Sequence, residues 1–132
     1  MKVVIVDYRM GNIQSIVGAL KYLNVEDIVV SNDSYDIFSA NKIILPGVGS
    51  FATAMHNMKT LGLDKCLREA VIINKKPILG ICLGMQLMGE SSTENTSSSG
   101  LGFIKGRVCK FKKCNLKIPH IGFNQVNFAS NS

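Results

Sequence analysis

Several things are scarce in this 132-residue chain, and each scarcity excludes something. No apolar run approaches the length that crosses a bilayer, which sets aside a helical membrane protein. The first apolar run, Val3-Val4-Ile5-Val6, is cut by Asp7; it reads as a buried strand and not as a secretory leader, so a cytoplasmic protein is expected. The four cysteines, Cys66, Cys82, Cys109 and Cys114, form no C-x-x-C pair, which argues against zinc and leaves reduced thiols as the expectation. No internal repeat occurs. Acid is missing from the last third: residues 1–94 carry nine Lys/Arg and nine Asp/Glu, whereas residues 95–132 carry Lys105, Arg107, Lys110, Lys112, Lys113 and Lys117 and no carboxylate side chain. That excess reads first as a solvated basic hairpin and second as a docking surface for an acidic protein. Aromatic residues do not interleave with these charges in a binding motif, so nucleic acid is not expected.

What is present is 46% hydrophobic and 18% charged residues, an ordinary globular balance over one domain's length. Strands are expected at 3–7, 28–30, 42–45 and 77–81. Helices are expected at 12–23, 35–40, 51–61, 63–74 and from Leu83 to about Met88. Ile13, Ile16, Val17, Leu20 and Leu23 share one helical face. Strands that are apolar on both faces, with helices between them, predict a doubly wound, mostly parallel α/β sheet. Sites in such sheets form beyond the carboxyl ends of the strands. After residue 90 the texture changes. Ser91–Gly100 reads as a loop, and short strand-like pieces follow at 103–104, 108–111, 116–118 and 125–128, an antiparallel excursion after residue 100. Residues 1–132 are read as a single domain lacking its C-terminal part, because no closing helix follows.

Gly80-Ile81-Cys82-Leu83-Gly84 has the G-x-nucleophile-x-G form, entered by an apolar strand and left by a helix. The turn is tight, and side chains at the two glycines would collide with neighbouring elements. A sulfur there meets the unsatisfied N–H groups of a helix start, and the Leu83 N–H is placed to hold an oxyanion. The bland alternative is a small buried cysteine between strand and helix. Pro46-Gly47-Val48-Gly49 also follows a strand and should lie beside the elbow, where glycine lets backbone N–H groups turn toward a ligand.

Pro46-Gly47-Val48-Gly49-Ser50-Phe51 and Pro77-Ile78-Leu79-Gly80-Ile81-Cys82-Leu83-Gly84-Met85-Gln86-Leu87 together closely resemble class I (triad) glutamine amidotransferases. Asp7-Tyr8-Arg9-Met10-Gly11-Asn12 and Pro119-His120-Ile121-Gly122-Phe123-Asn124 look like the glutaminase subunits of imidazole glycerol phosphate synthases. The resemblance runs over residues 3–128 and implies a flavodoxin-like fold with no metal or organic cofactor. It implies Cys82 as the nucleophile that forms a glutamyl thioester, and Leu83, Gly47 and Val48 as the oxyanion hole. Gln86 and Glu94 would hold the substrate glutamine. Met10, Gly11, Asn12, His120, Phe123 and Asn124 would face a (β/α)₈-barrel synthase partner and the ammonia passage. Read without the resemblance, Asn12 is a helix cap and Gln86 a solvated helix residue.

The sequence also departs from that pattern. The family's triad His and Glu, two residues apart, have no match here: His56 and His120 are not followed by an acid at the second position. Arg9 replaces a residue that is usually small, and Phe123 replaces a Trp common in the histidine enzyme. A paralogous branch supplies ammonia for surface-polysaccharide sugars, and these two changes keep it open. A further reading is a non-catalytic partner-binding module of the same fold.

Overall fold

The computed structural model describes residues 1–94, 97–112 and 121–127. Four short strands, β1 (Val3–Val6), β2 (Ile28–Ser31), β3 (Lys42–Leu45) and β4 (Ile78–Gly80), form one sheet in the order β2-β1-β3-β4. Every pairing is parallel, with Ile5 opposite Val30 and Ile44, and Leu45 opposite Gly80. Parallel neighbours need crossovers, and the helices supply them. These are α1 (Ile13–Tyr22), α2 (Ser34–Ser39), α3 (Phe51–Thr60) and α4 (Leu63–Arg68), the last running on as a π turn over Glu69–Ile73.

Alternation along each strand splits the core into two layers. Val3, Ile5 and Ile44 face α1 and pack against its Ile13, Ile16, Val17 and Leu20. Val4, Val6, Ile43 and Leu45 face the other way, onto Ile37, Ala54, Met58, Leu63 and Leu67 of α2, α3 and α4. The expected doubly wound α/β sheet is therefore present. Among the described residues no helix is long and apolar enough to cross a membrane.

The expected helix at 63–74 is interrupted. Its α-helical hydrogen bonding ends at Arg68, and Asn74 N–H donates five residues back to Glu69. The turn separating it from α3 is at Gly62, whose φ of 70° suits glycine. After β4 comes α5 (Leu83–Leu87), and then a small second sheet. Its strands are β5 (Ser91–Ser92), β6 (Ser98–Ser99) and β7 (Arg107–Val108), in the order β6-β5-β7. The β5–β6 pair is antiparallel and β5–β7 parallel. The antiparallel pairing thus falls inside the serine-rich stretch read as a loop, earlier than expected. Ser92 is buried there, and Gly100 N–H donates to Glu90 O. The expected strand at 103–104 is instead a bend tied back to Met88 O, and residues 125–127 form no strand. The piece at 116–118 lies outside the described residues.

Candidate functional site

Three loops meet at the carboxyl edge of the sheet: 7–12 after β1, 46–50 after β3 and 81–82 after β4. Parallel pairing of β3 with β4 sets the last two side by side, and Ile81 N–H donates to Leu45 O at 2.9 Å to lock the register. The chain then reverses at Cys82, with φ 54° and ψ −117°, a backbone conformation that costs an L-residue about 1–3 kcal/mol. Both flanking glycines are required. A Cβ at Gly84 would run into the Leu45 carbonyl group, and one at Gly80 would stand 2.6 Å from Met85 Cα and Met88 Sδ. Packing of the elbow against its own strand and helix holds the strained cysteine in place.

Cys82 is exposed, while Leu83, Gly84 and Leu87 behind it are buried. Met85 and Gln86 N–H both donate to Cys82 O, and Gly84 N–H to Ile81 O. The Leu83 N–H has no protein acceptor among the described residues, and neither have those of Gly47 and Val48. Gly47 is pressed against the elbow: a Cβ there would stand 2.9 Å from Gly84 N and Leu83 Cβ. Main-chain donors without a protein acceptor thus stand on two adjoining loops, one of them the elbow that exposes Cys82, and such donors match negative charge on an oxygen.

Tyr8 joins the first loop to the second. It is buried, and its hydroxyl donates to Pro46 O at 2.6 Å. Burial pushes its phenol well above the usual tyrosine range, and nearby Cys82 pushes the same way. In the sequence Tyr8 lies inside a motif without a role of its own, and an aromatic just after an apolar strand is its only signal. A pH effect follows. The unfolded phenol ionises near 10.0 and the folded one only above that, so stability is full below pH 10 and falls as pH rises past it. We expect Tyr8→Phe to remove that part of the alkaline loss and to cost about 1–2 kcal/mol at neutral pH, read from urea unfolding at pH 7 and pH 11.

The remaining expected site residues are dispersed. Met10 packs onto the second loop, where a Cβ on Gly49 would meet Met10 Cε at 3.0 Å. Gly11 lies against Pro46, and a Cβ there would stand 3.3 Å from the ring. Asn12 caps α1, its Oδ1 accepting from Ser15 N–H at 3.4 Å. Gln86 is half-buried one turn beyond Cys82 and lines a groove of about 290 Å³ with Met85, Gly89 and residues 104–108. Glu94 is half-buried beyond β5, and its N–H donates to Ser92 Oγ. Phe123 and Asn124 are exposed, and His120 lies outside the described residues. His56 sits on α3 and lines a notch with Arg9. Among the described residues no group of three or more His, Cys, Asp or Glu could hold a metal ion.

Residues 4–128 match the family described as glutamine amidotransferase class-I. Among curated relatives, the imidazole glycerol phosphate synthase subunit HisH 1 of Campylobacter jejuni is 46% identical over 94% of this chain and 62% of its own length. Subunit HisH 2 of Vibrio vulnificus is 46% identical over 96% of this chain and 59% of its own. Subunit HisH of Aquifex aeolicus is 44% identical over the whole chain and 63% of its own. The chain thus spans about three fifths of the length of the curated relatives it matches. The elbow, the glycine loop beside it and a match covering nearly every residue agree: the chain belongs to the class-I glutamine amidotransferase family.

Proposed function

We propose that this chain carries the nucleophile and oxyanion half of a glutaminase that delivers ammonia to a (β/α)₈-barrel synthase making imidazole glycerol phosphate in histidine biosynthesis. One observation carries the reading: Cys82 is exposed on a strained elbow against which Gly47 is packed, and the N–H groups of Leu83, Gly47 and Val48 have no protein acceptor among the described residues. In the proposed reaction the sulfur attacks the γ-carboxamide carbon of glutamine. The carbonyl electrons move to oxygen, where those N–H groups receive them. The C–N bond breaks, ammonia leaves, and water hydrolyses the thioester to glutamate. Gln86 and Glu94 are proposed to hold the amino-acid end of the substrate. Met10, Gly11, Asn12, His120, Phe123 and Asn124 are proposed to face the synthase. The chemistry calls on no metal or organic cofactor, and the synthesis belongs in the cytoplasm.

The step also needs a base to take the thiol proton and return it to the leaving amine. His56 sits on α3 in the notch with Arg9 and is not followed by an acid at the second position, so it is not proposed as that base. A second reading is a partner-binding module that keeps the fold without turnover. Arg9 and Phe123 keep a third reading, supply of ammonia for surface-polysaccharide sugars. The test is glutamate release from glutamine by the chain mixed with its barrel synthase. Release that Cys82→Ser removes supports the glutaminase. Binding without release selects the module, and release only with a sugar-pathway synthase selects the third reading.

A further inference from the structure

Arg9 has a φ of 68°, a left-handed backbone that favours glycine. Asp7 explains the turn, since its Oδ1 accepts from Arg9 N–H at 2.9 Å, but the turn does not call for a long cation at that position. The side chain is exposed and lines a notch of about 240 Å³ with His56, Asn57, Thr60 and Leu61 of the α3 end. Two of the polar groups there are already used. Asn57 Nδ2 donates to Tyr8 O at 3.2 Å, and Thr60 Oγ1 donates to His56 O at 2.9 Å. The Arg9 guanidinium and the His56 imidazole have no hydrogen-bond or ion-pair partner among the described residues, and no carboxylate lines the notch.

Arg9 directly precedes Met10, Gly11 and Asn12, the segment proposed to face the synthase, so the notch adjoins that segment along the chain. A planar guanidinium at the rim matches a carboxylate in two-pronged geometry, and an imidazole N–H beside it adds a third donor. We propose that the Arg9–His56 notch receives an acidic side chain of the barrel synthase, and that Arg9 sets the choice of partner at this edge. The inference rests on the proposed synthase partnership.

The test is the affinity of the chain for the barrel synthase encoded in the same genome, measured by calorimetry at low and at high salt, with the unfolding midpoint of each free variant. Arg9→Gly is expected to weaken binding about tenfold at low salt and to flatten its salt dependence. The same change is expected to raise the midpoint by a few degrees, because the left-handed strain is relieved. Arg9→Lys should keep part of the affinity, and His56→Gln should lose less than Arg9→Gly. Opposite signs for stability and affinity are what a merely structural arginine would not give. If the parent binds and Arg9→Gly binds equally tightly with the same salt dependence, the notch inference is overturned while the partnership stands. If the parent does not bind the synthase at all, the partnership fails and takes the inference with it.

Discussion

Replacing Gly84 by alanine is expected to cost about 3 kcal/mol or more, because the added methyl would occupy the space of the Leu45 carbonyl. Neither party can step aside cheaply. Leu45 lies in β3 opposite Gly80, its oxygen receives the Ile81 N–H, and its side chain is fully buried. Gly84 lies in the first turn of α5, behind Cys82. The methyl would therefore push α5 off the sheet edge or pull Ile81 out of register. Either movement displaces the sulfur from the loop at Gly47. Against a total stability on the order of 5–15 kcal/mol, a loss of this size is large, and the thermal midpoint should fall by about 10 °C. Gly80→Ala should act similarly through Met85 and Met88. Gly18, with nothing within 4 Å of its added Cβ, sits on the exposed face of α1. Gly18→Ala should stabilise slightly, which makes it the matched control.

The second large effect concerns reactivity. Incubated with an electrophilic analogue of glutamine, the chain should be labelled at Cys82, and Cys82→Ser should lower the labelling rate about 10³-fold. The other described cysteines supply the contrast. Cys66 packs half-buried against the core, and burial pushes its thiol up, with Glu69 and Asp33 adding to it. It should react slowly with any electrophile. Cys109 is exposed but has no elbow around it, so it should show no preference for the glutamine analogue over iodoacetamide. The strained backbone gives an independent readout. Cys82→Gly should destroy labelling yet raise stability by about 1 kcal/mol, since glycine adopts φ 54° without the Cβ penalty. A cysteine that served only packing would lose stability on truncation. Mass spectrometry of labelled peptides and urea unfolding of the parent and the two variants measure both sides.

Much of this arrangement is legible in the residue order, for identifiable reasons. Val3–Val6 and Lys42–Leu45 are dense in β-branched and aliphatic residues and end at Asp7 and Pro46, so strand identity and the loops at their ends follow from composition. The elbow is legible because its two glycines have steric work to do at fixed spacing from the cysteine. Asn12 shows both of its readings at once: it caps α1, as its type and position suggest, while lying in the loop that Met10 and Gly11 bring against the second loop.

Other features had no local signal. Serine has weak strand preference, so the pairing of Ser91–Ser92 with Ser98–Ser99 depends on partners elsewhere, on β7 and on the Gly100 N–H that donates to Glu90 O. The π turn at Glu69–Ile73 arises where α4 must hand over to the Asn74–Lys76 turn before β4, and its helical pattern of apolar residues is the same either way. The left-handed backbone at Arg9 is hidden because the residue type argues against it. Tyr8 is an ordinary aromatic in the sequence; only the fold shows that it anchors Pro46 and so fixes the glycine loop beside the sulfur.

In the proposed reaction the Cys82 sulfur meets a carbonyl carbon whose oxygen is received by main-chain N–H groups. A crystal structure of the chain reacted with a chloroketone analogue of glutamine tests it most directly. Expected is a carbon–sulfur bond at Cys82, with the analogue's oxygen about 2.7–3.1 Å from the Leu83 nitrogen and directed toward the Gly47-Val48 loop. A sulfur left unmodified and turned into the interior, or an adduct whose oxygen faces solvent away from both loops, would contradict it.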